Sequence, residues 1–354
     1  MSGRLKLRRG VVVGEDPLTV EVGGEPRAAW ADTALLGEMR EGDEVVVNVE
    51  ALDLSLGSGG FDVVHVNLTR GLVGGGAPAG EHVMKLNYTS LQHAVAPLEL
   101  PVRLLDREGP KGAPERSEGA MPVLVLPLHG HLAPAAWAAG QGAPGAKVGY
   151  VQTAGGALPG SLGRDVAELR ERGLLCDHVT AGPAHGGERE AISVAGALDA
   201  AAAGLGWDAA IAGPGPGIVG SETRLGHGGV VALDTAHASL ALGLPTLLSP
   251  RLSSADPRER HRPVSHHTLT VMGMLLAPVA IPVPSGNPVV TARLAGAAAW
   301  RHRLTEAPAD LAGYESARLP ARTMGRTIAE DPLFFAAPLA SGSALAAARA
   351  GRAG

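Results

Sequence analysis

AAIAGPGPGIVGSETRLGHGGVVALDTAHASLALGLPTLL, residues 209–248, is the stretch whose reading decides the fold. It opens on a short apolar run at 209–212, the mark of a strand covered on both faces. A glycine-rich loop follows. Residues 228–242 then carry apolar side chains at helical spacing, and 245–248 is a second apolar run. Strand, loop, helix and strand in that order is the grammar of a parallel sheet with crossover helices.

The same grammar runs outward in both directions. Short apolar runs at 123–126, 147–151, 174–179 and 279–283 are further strands. Ser161 is placed to cap a helix that carries Leu162, Val166 and Leu169 on one face and ends at Gly173. Helices are also expected over 188–203, ended by Gly204, and over 287–303. Upstream the pattern changes. Val64, Val66 and Leu68 alternate with His65 and Asn67, the period of a half-buried strand. Gly42-Asp43 precedes a valine-rich run at 44–49, and further extended segments lie at 4–13, 18–22 and 82–88. Short strands joined by glycine turns predict a small barrel or sandwich. The expected class is therefore α/β: a parallel Rossmann-like sheet domain preceded by a small all-β barrel or sandwich domain. The expected boundaries are 1–105 for the β domain, 106–120 for a charged Gly/Pro linker, 121–337 for the α/β domain and 338–354 for a fraying Ala/Gly/Ser tail.

Composition narrows the function. Aromatic residues are only 3% of the 354, so base-stacking platforms are not expected. The net charge of −5 argues against a nucleic-acid partner. The single cysteine, Cys176, excludes an internal disulfide and multi-cysteine metal sites, and fits a reducing compartment. Cys176 itself reads as core. The charged start of the chain is not followed by an apolar signal core. The longest apolar run, about 271–281, is short of the ~20 residues a bilayer needs. A cytoplasmic protein with no membrane partner is the expectation; self-association stays open.

In an open parallel sheet ligands bind beyond the carboxyl ends of strands, which selects the loops that could carry chemistry. The loop at 213–220 leads. Gly215, Gly217 and Gly220 satisfy G-x-G-x-x-G, and Ser221 and Thr223 follow before the helix near 228, whose free amides would favour an anion. The spacing departs from a dinucleotide fingerprint, and there is no G-K-[ST], so a purely structural turn is the alternative. His129 and His131, at i and i+2 after the first α/β strand, could share a metal or a substrate, or be two surface histidines in a glycine turn. Thr153 offers a hydroxyl after the next strand. Gly186 and Gly187 could point amides at a ligand where a helix opens. Residues 251–268 gather Arg251, Arg258, Arg260, Arg262, His261, His266 and His267, a density suited to phosphate or carboxylate, with a solvated charged loop as the alternative. Ser265 is placed to cap a helix whose first turn holds His266 and His267. Asp234 and His237 are three apart on one helix and could share a metal or a proton; His237 falls in the apolar stripe, where it reads as a satisfied core histidine.

HVMKLNYTSLQHAV (82–95), PGIVGSETRLG (216–226), DPRERHRPVSHHT (256–268) and TMGR with EDPLFF (323–335) resemble a bacterial family known as domain of unknown function 3866. The similarity runs over nearly the whole chain. It implies one conserved unit, and it carries no reaction, cofactor or catalytic residue.

The residues point first to an enzyme or binding protein for an anionic small molecule, phosphorylated or nucleotide-like. The Gly213–Gly220 loop would cradle the anion and Arg258, Arg260 or Arg262 would neutralise it. His129, His131, His266 or His267 would supply acid–base or metal chemistry. A non-catalytic assembly or regulatory protein, with the β domain docking a partner, is the second reading. A histidine-metal hydrolase is the third. No particular metal or cofactor is specified.

Overall fold

Valine alternation builds the first unit. In the computed structural model, which describes residues 4–56, 59–73, 75–76, 80–99, 120–298 and 301–351, the chain divides into units of residues 1–96 and 97–354. Strands β1 (Leu7–Glu15), β2 (Leu18–Val22), β3 (Glu25–Trp30), β4 (Glu44–Asn48) and β5 (Asp62–Asn67) close a barrel in the order β1-β2-β3-β5-β4. Every neighbouring pair is antiparallel except β3 with β5. That order is the one used by OB-type Greek-key barrels, and closure leaves no long unpaired edge. The single-turn helices α1 (Thr33–Leu36) and α2 (Glu50–Asp53) sit in the β3–β4 and β4–β5 connections. Val12, Val20, Val45, Val47 and Val64 fill the interior, β-branched side chains that suit a pleated surface. Asp43 is buried and held by Asn67 Nδ2 at 2.9 Å and Arg70 Nε at 2.8 Å. A small hairpin, β6 (Val83–Lys85) with β7 (His93–Val95), completes this unit. The barrel alternative of the sequence reading is the one observed.

The second unit is an eight-stranded sheet. Its strands are β8 (Val123–Val125), β9 (Val148–Thr153), β10 (Asp177–Ala181), β11 (Arg189–Ala191), β12 (Ala209–Pro214), β13 (Thr246–Leu248), β14 (Ala280–Pro284) and β15 (Arg303–Ala307). The order is β11-β10-β9-β12-β8-β13-β14-β15, and every pair is parallel. Alternation inside the strands serves two cores. Val123, Val125, Ala210 and Ala212 face helices α5 (Val194–Ala203), α6 (Val231–Ala241), α7 (His266–Met274) and α8 (Pro288–Ala298). Leu124, Leu126, Ala209 and Ile211 face α3 (Leu132–Gly142), α4 (Arg164–Glu171), α9 (Leu311–Ser316) and α10 (Pro332–Ala350). The chain leaves β8 through α3 toward β9 on one side. It leaves β12 through α6 and lands on β13, on the other side of β8. Crossovers that diverge in this way open a crevice above the strand ends, where α/β sheets hold ligands.

Four local expectations are corrected. Residues 188–203 are not one helix. Arg189–Ala191 pairs as the edge strand β11, and α5 begins only after Ser193, whose Oγ accepts the Gly196 amide at 2.9 Å. The α4 cap is Gly163 and not Ser161, because 160–162 form a 3₁₀ turn first. Of the helix expected over 287–303, Pro288–Ala298 is helical, and Arg303–Ala307 joins the sheet. Residues 338–350 do not fray: they continue α10, with Leu339, Ala340, Gly342 and Leu345 buried. Small residues there let two helices approach, for a Cβ on Gly342 would fall on the Ala135 carbonyl of α3. Among the described residues α10 is the one helix long and apolar enough to cross a bilayer, and most of it is buried within this unit. Of the expected linker, only Ala120 falls among the described residues.

Candidate functional site

A cleft of about 650 Å³ occupies that crevice. Its walls are the segments that follow strand ends: Pro127–Gly130 after β8, Gly163–Asp165 after β9, Pro216–Gly220 after β12, and Arg251 to His267 after β13. The hairpin β16 (Arg322–Thr323) with β17 (Arg326–Thr327) adds Met324, and α10 adds Phe334. Arg164, Arg251, Arg258, Arg260 and Arg322 line the cleft, against only Asp165 and Glu222 among the acidic residues there. Among the described residues no carboxylate lies within ion-pair distance of Arg164 or Arg322. Leu128, Leu162, Ile218 and Phe334 supply apolar wall.

The arginine side is built on one buried acid. Asp256 accepts from Arg258 Nε and Nη2, each at 2.9 Å, and from Arg251 Nη2 at 3.2 Å. Burial alone would raise its pKa; the hydrogen bonds and charge of Arg258 overcome that and hold it far below the usual carboxylate range. Burial brings the Arg251 guanidinium down to about 10, against the pull of Asp256. A second buried acid, Asp331, accepts from Ser253 Oγ at 2.6 Å, the Ser254 amide at 2.8 Å and Arg326 Nε at 3.1 Å. It pins the start of α10 to the loop that carries these arginines.

Four histidines meet at the same wall. His227 and His267 stack with centroids 3.4 Å apart and planes 8° apart. His266 lies 4.3 Å from His267 and 5.0 Å from His261. Ser265 organises them: its Oγ accepts the His267 amide at 3.2 Å, capping α7, and stands 2.7 Å from His261 Nδ1. Arg251 Nη1 donates to His267 Nδ1 at 3.3 Å. Burial, then neighbouring histidines and arginines, push His267 down to about 2 and His261 to about 3. His227 and His266 move the same way for the same reasons. All four are neutral near pH 7, the state in which imidazole ligates metal. His261, His266 and His267 each offer a ring nitrogen, all three within 4.8 Å of one another.

On the other side of the cleft stands His129, in the 3₁₀ turn after β8. Its Nε2 is 3.6 Å from Asp165 Oδ2. Burial lowers its pKa, and Asp165 and the Pro214 carbonyl oppose the shift without reversing it. A neutral imidazole backed by a carboxylate can accept a proton and return it.

The family model described as "Protein of unknown function (DUF3866)" matches residues 28–342. The chain belongs to that family. No curated protein and no solved structure matches it. Of the segments quoted for the resemblance, 216–226, 256–268 and 323–335 all contribute residues to the cleft; 82–95 lies in the first unit.

The structure brings together part of the expected set. His129, His266, His267, Gly217, Gly220, Arg258 and Arg260 line one cleft. Others lie elsewhere. His131 diverges from His129: its Nδ1 is 3.0 Å from Ser249 Oγ and its ring packs on Phe334, so the pair cannot share a ligand. Thr153 is buried and donates to the Ala154 carbonyl at 3.1 Å. The amides of Gly186 and Gly187 open no helix and are spent on Glu190 Oε1 at 2.6 Å and Thr180 Oγ1 at 3.1 Å. Gly215 is small because the neighbouring loop packs on it: a Cβ there would fall on the Ala157 carbonyl. Ser221 and Thr223 close a local turn on Gly226. The Gly228 amide is spent on the Val219 carbonyl at 2.9 Å, so it is not free for an anion. Arg262 is exposed and outside the cleft wall. Burial raises the Cys176 thiol to about 11, the opposite of an activated nucleophile. Sequence reasoning missed Asp165, His227, Arg164, Arg322 and Met324. Arg164 and Asp165 open α4 with no motif of their own, His227 closes the glycine loop, and Arg322 and Met324 sit in or beside the TMGR stretch; only their placement in the fold turns them into the cleft.

Proposed function

We propose that the α/β unit holds a small anionic metabolite, most simply a phosphate ester, in the strand-end cleft, with His129 and Asp165 handling a proton beside it. The observation that carries this reading is the excess of arginine over carboxylate at the point where the crossovers diverge. Arginine presents a planar fork that matches phosphate oxygens in a way lysine does not. The volume suits a metabolite of sugar-phosphate or nucleotide size. The apolar wall would take the less polar part of such a molecule. Neutral His129 has the protonation state a general base needs near pH 7.

The test is calorimetric titration of the full chain with inorganic phosphate, a sugar phosphate and a nucleotide. A phosphorylated ligand should bind, and Arg258→Ala and Arg322→Ala should each weaken it about tenfold or more. If no phosphorylated compound binds, or both variants bind as the parent does, the reading is wrong.

A further inference from the structure

The three imidazoles that converge at the start of α7 do more than line an anion site. We propose that His261, His266 and His267 form a binding site for one divalent transition metal of the zinc class. This goes beyond the anion reading and stands or falls separately from it.

The ligand type comes first. Three neutral imidazoles and an open side suit zinc and its neighbours, and three protein ligands plus one exchangeable position is the usual catalytic arrangement. The ring nitrogens lie within 4.8 Å of one another, and a tetrahedral site with bonds of 2.0–2.1 Å needs them about 3.3 Å apart. Small side-chain rotations close that gap. His266 Nε2 is buried and has no hydrogen-bond partner among the described residues. A buried ring nitrogen left in that state is costly unless something fills it.

The outer contacts have the form a metal site requires. With His261 Nδ1–H donating to Ser265 Oγ, the lone pair is left on Nε2. Ser265 is therefore a positioning residue for two of the three ligands, through that contact and through the His267 amide. At His267 the lone pair of Nδ1 already faces a cation, because Arg251 can only donate to it. A metal bound there displaces the guanidinium, which keeps Asp256 at 3.2 Å. His227 stacks on His267 nearly parallel and supports that ring from behind.

The arginines make the site conditional. A dication beside Arg251, Arg258 and Arg260 binds more weakly when no anion shares the space. Metal and phosphate should therefore strengthen each other's binding, by the same factor in both directions.

The experiment uses full-length protein stripped with chelator, titrated with zinc and with cobalt, with and without inorganic phosphate. One equivalent per chain should remain after gel filtration and raise the melting temperature. His266→Ala and His267→Ala should each bind at least tenfold more weakly. His82→Ala, an exposed histidine of the first unit, should bind as the parent does. Because a variant could misfold, each is checked by its unliganded melting curve, and cobalt absorbance in the parent gives a second readout of nitrogen coordination. Binding well below one equivalent, or equal binding in a folded His266→Ala/His267→Ala double variant, overturns the proposal. Phosphate binding by the stripped protein with no metal uptake leaves the anion reading standing alone. Metal uptake without any phosphorylated ligand does the reverse.

Discussion

Asp256 grips Arg258 through both carboxylate oxygens, Nε to Oδ1 and Nη2 to Oδ2, each at 2.9 Å. The same carboxylate is also the nearest acid to Arg251, whose side chain is only 12% exposed. Asp256→Ala leaves that guanidinium buried without its partner. Breaking one side of a buried pair costs about 3–5 kcal/mol. Urea unfolding should show a loss of that order with an unchanged m-value; a loss under about 1 kcal/mol would mean the loop relaxes to hydrate Arg251.

Acid should destabilise the α/β unit through buried neutral histidines. Burial pushes His178 down to about 4 and His131 to about 3, from an ordinary 6.5. Between pH 6.5 and those values the unfolded chain binds protons that the folded chain refuses. Stability is therefore fully present above about pH 6.5 and falls as the pH drops toward 4 and 3. At 1.36 kcal/mol per pKa unit, His178 alone accounts for about 3 kcal/mol by pH 4. Denaturation midpoints from pH 7 to 4 should fall, and His178→Gln should flatten the slope. An identical slope in that variant would show that other groups govern the acid transition.

The last helix is part of the core. Gly342→Val should destabilise by about 1–3 kcal/mol, because its Cβ meets the Ala135 carbonyl across the α3–α10 contact. Ending the chain at residue 337 removes buried Leu339 and Leu345 and should abolish cooperative thermal unfolding of the α/β unit. A truncated protein that melts like the parent would return this stretch to the status of a tail.

Tyr150 braces the glycine loop from below. Its hydroxyl lies 3.0 Å from the Gly213 carbonyl and 3.1 Å from that of Pro214, and its ring stacks on His178. Tyr150→Phe leaves that acceptor pair without its donor and should cost about 1–2 kcal/mol. The same change should weaken phosphate binding, since it loosens the support of Pro216–Gly220; calorimetry separates the two effects.

Much of the architecture was legible in the chain. Apolar runs of strand length, spaced by amphipathic stretches and glycine stops, sufficed for the parallel sheet, since burial on both faces leaves little choice of residue. In the barrel, Val64 points inward as alternation predicts, but the register shifts between Val64 and Val66, so Asn67 is buried and Leu68 lies beyond β5. Misreadings came where one composition serves two structures. Ala, Gly and Ser at 338–350 read as a loose tail, yet they are also what lets α10 lie close against α3. Glu188 to Ile192 carried no alternation, and only the open edge of β10 made Arg189–Ala191 a strand.

The site divides in the same way. Sequence by itself located the arginine- and histidine-bearing segment at 251–268 and the glycine loop after 209–212, because strand order along the chain fixes which loops follow strand ends. It could not say which side chains turn inward. Tertiary structure decided that His129 faces the cleft while His131 faces Ser249. It also spent the amides of Gly186, Gly187 and Gly228 within the fold, and it brought Asp165, His227 and Arg322 to a wall they share with residues up to 195 positions away in the sequence, the span from Pro127 to Arg322. The reason is physical. Local pattern records what each segment buries, but a cleft is formed by what several segments leave unburied together, and that is fixed only when the sheet order is.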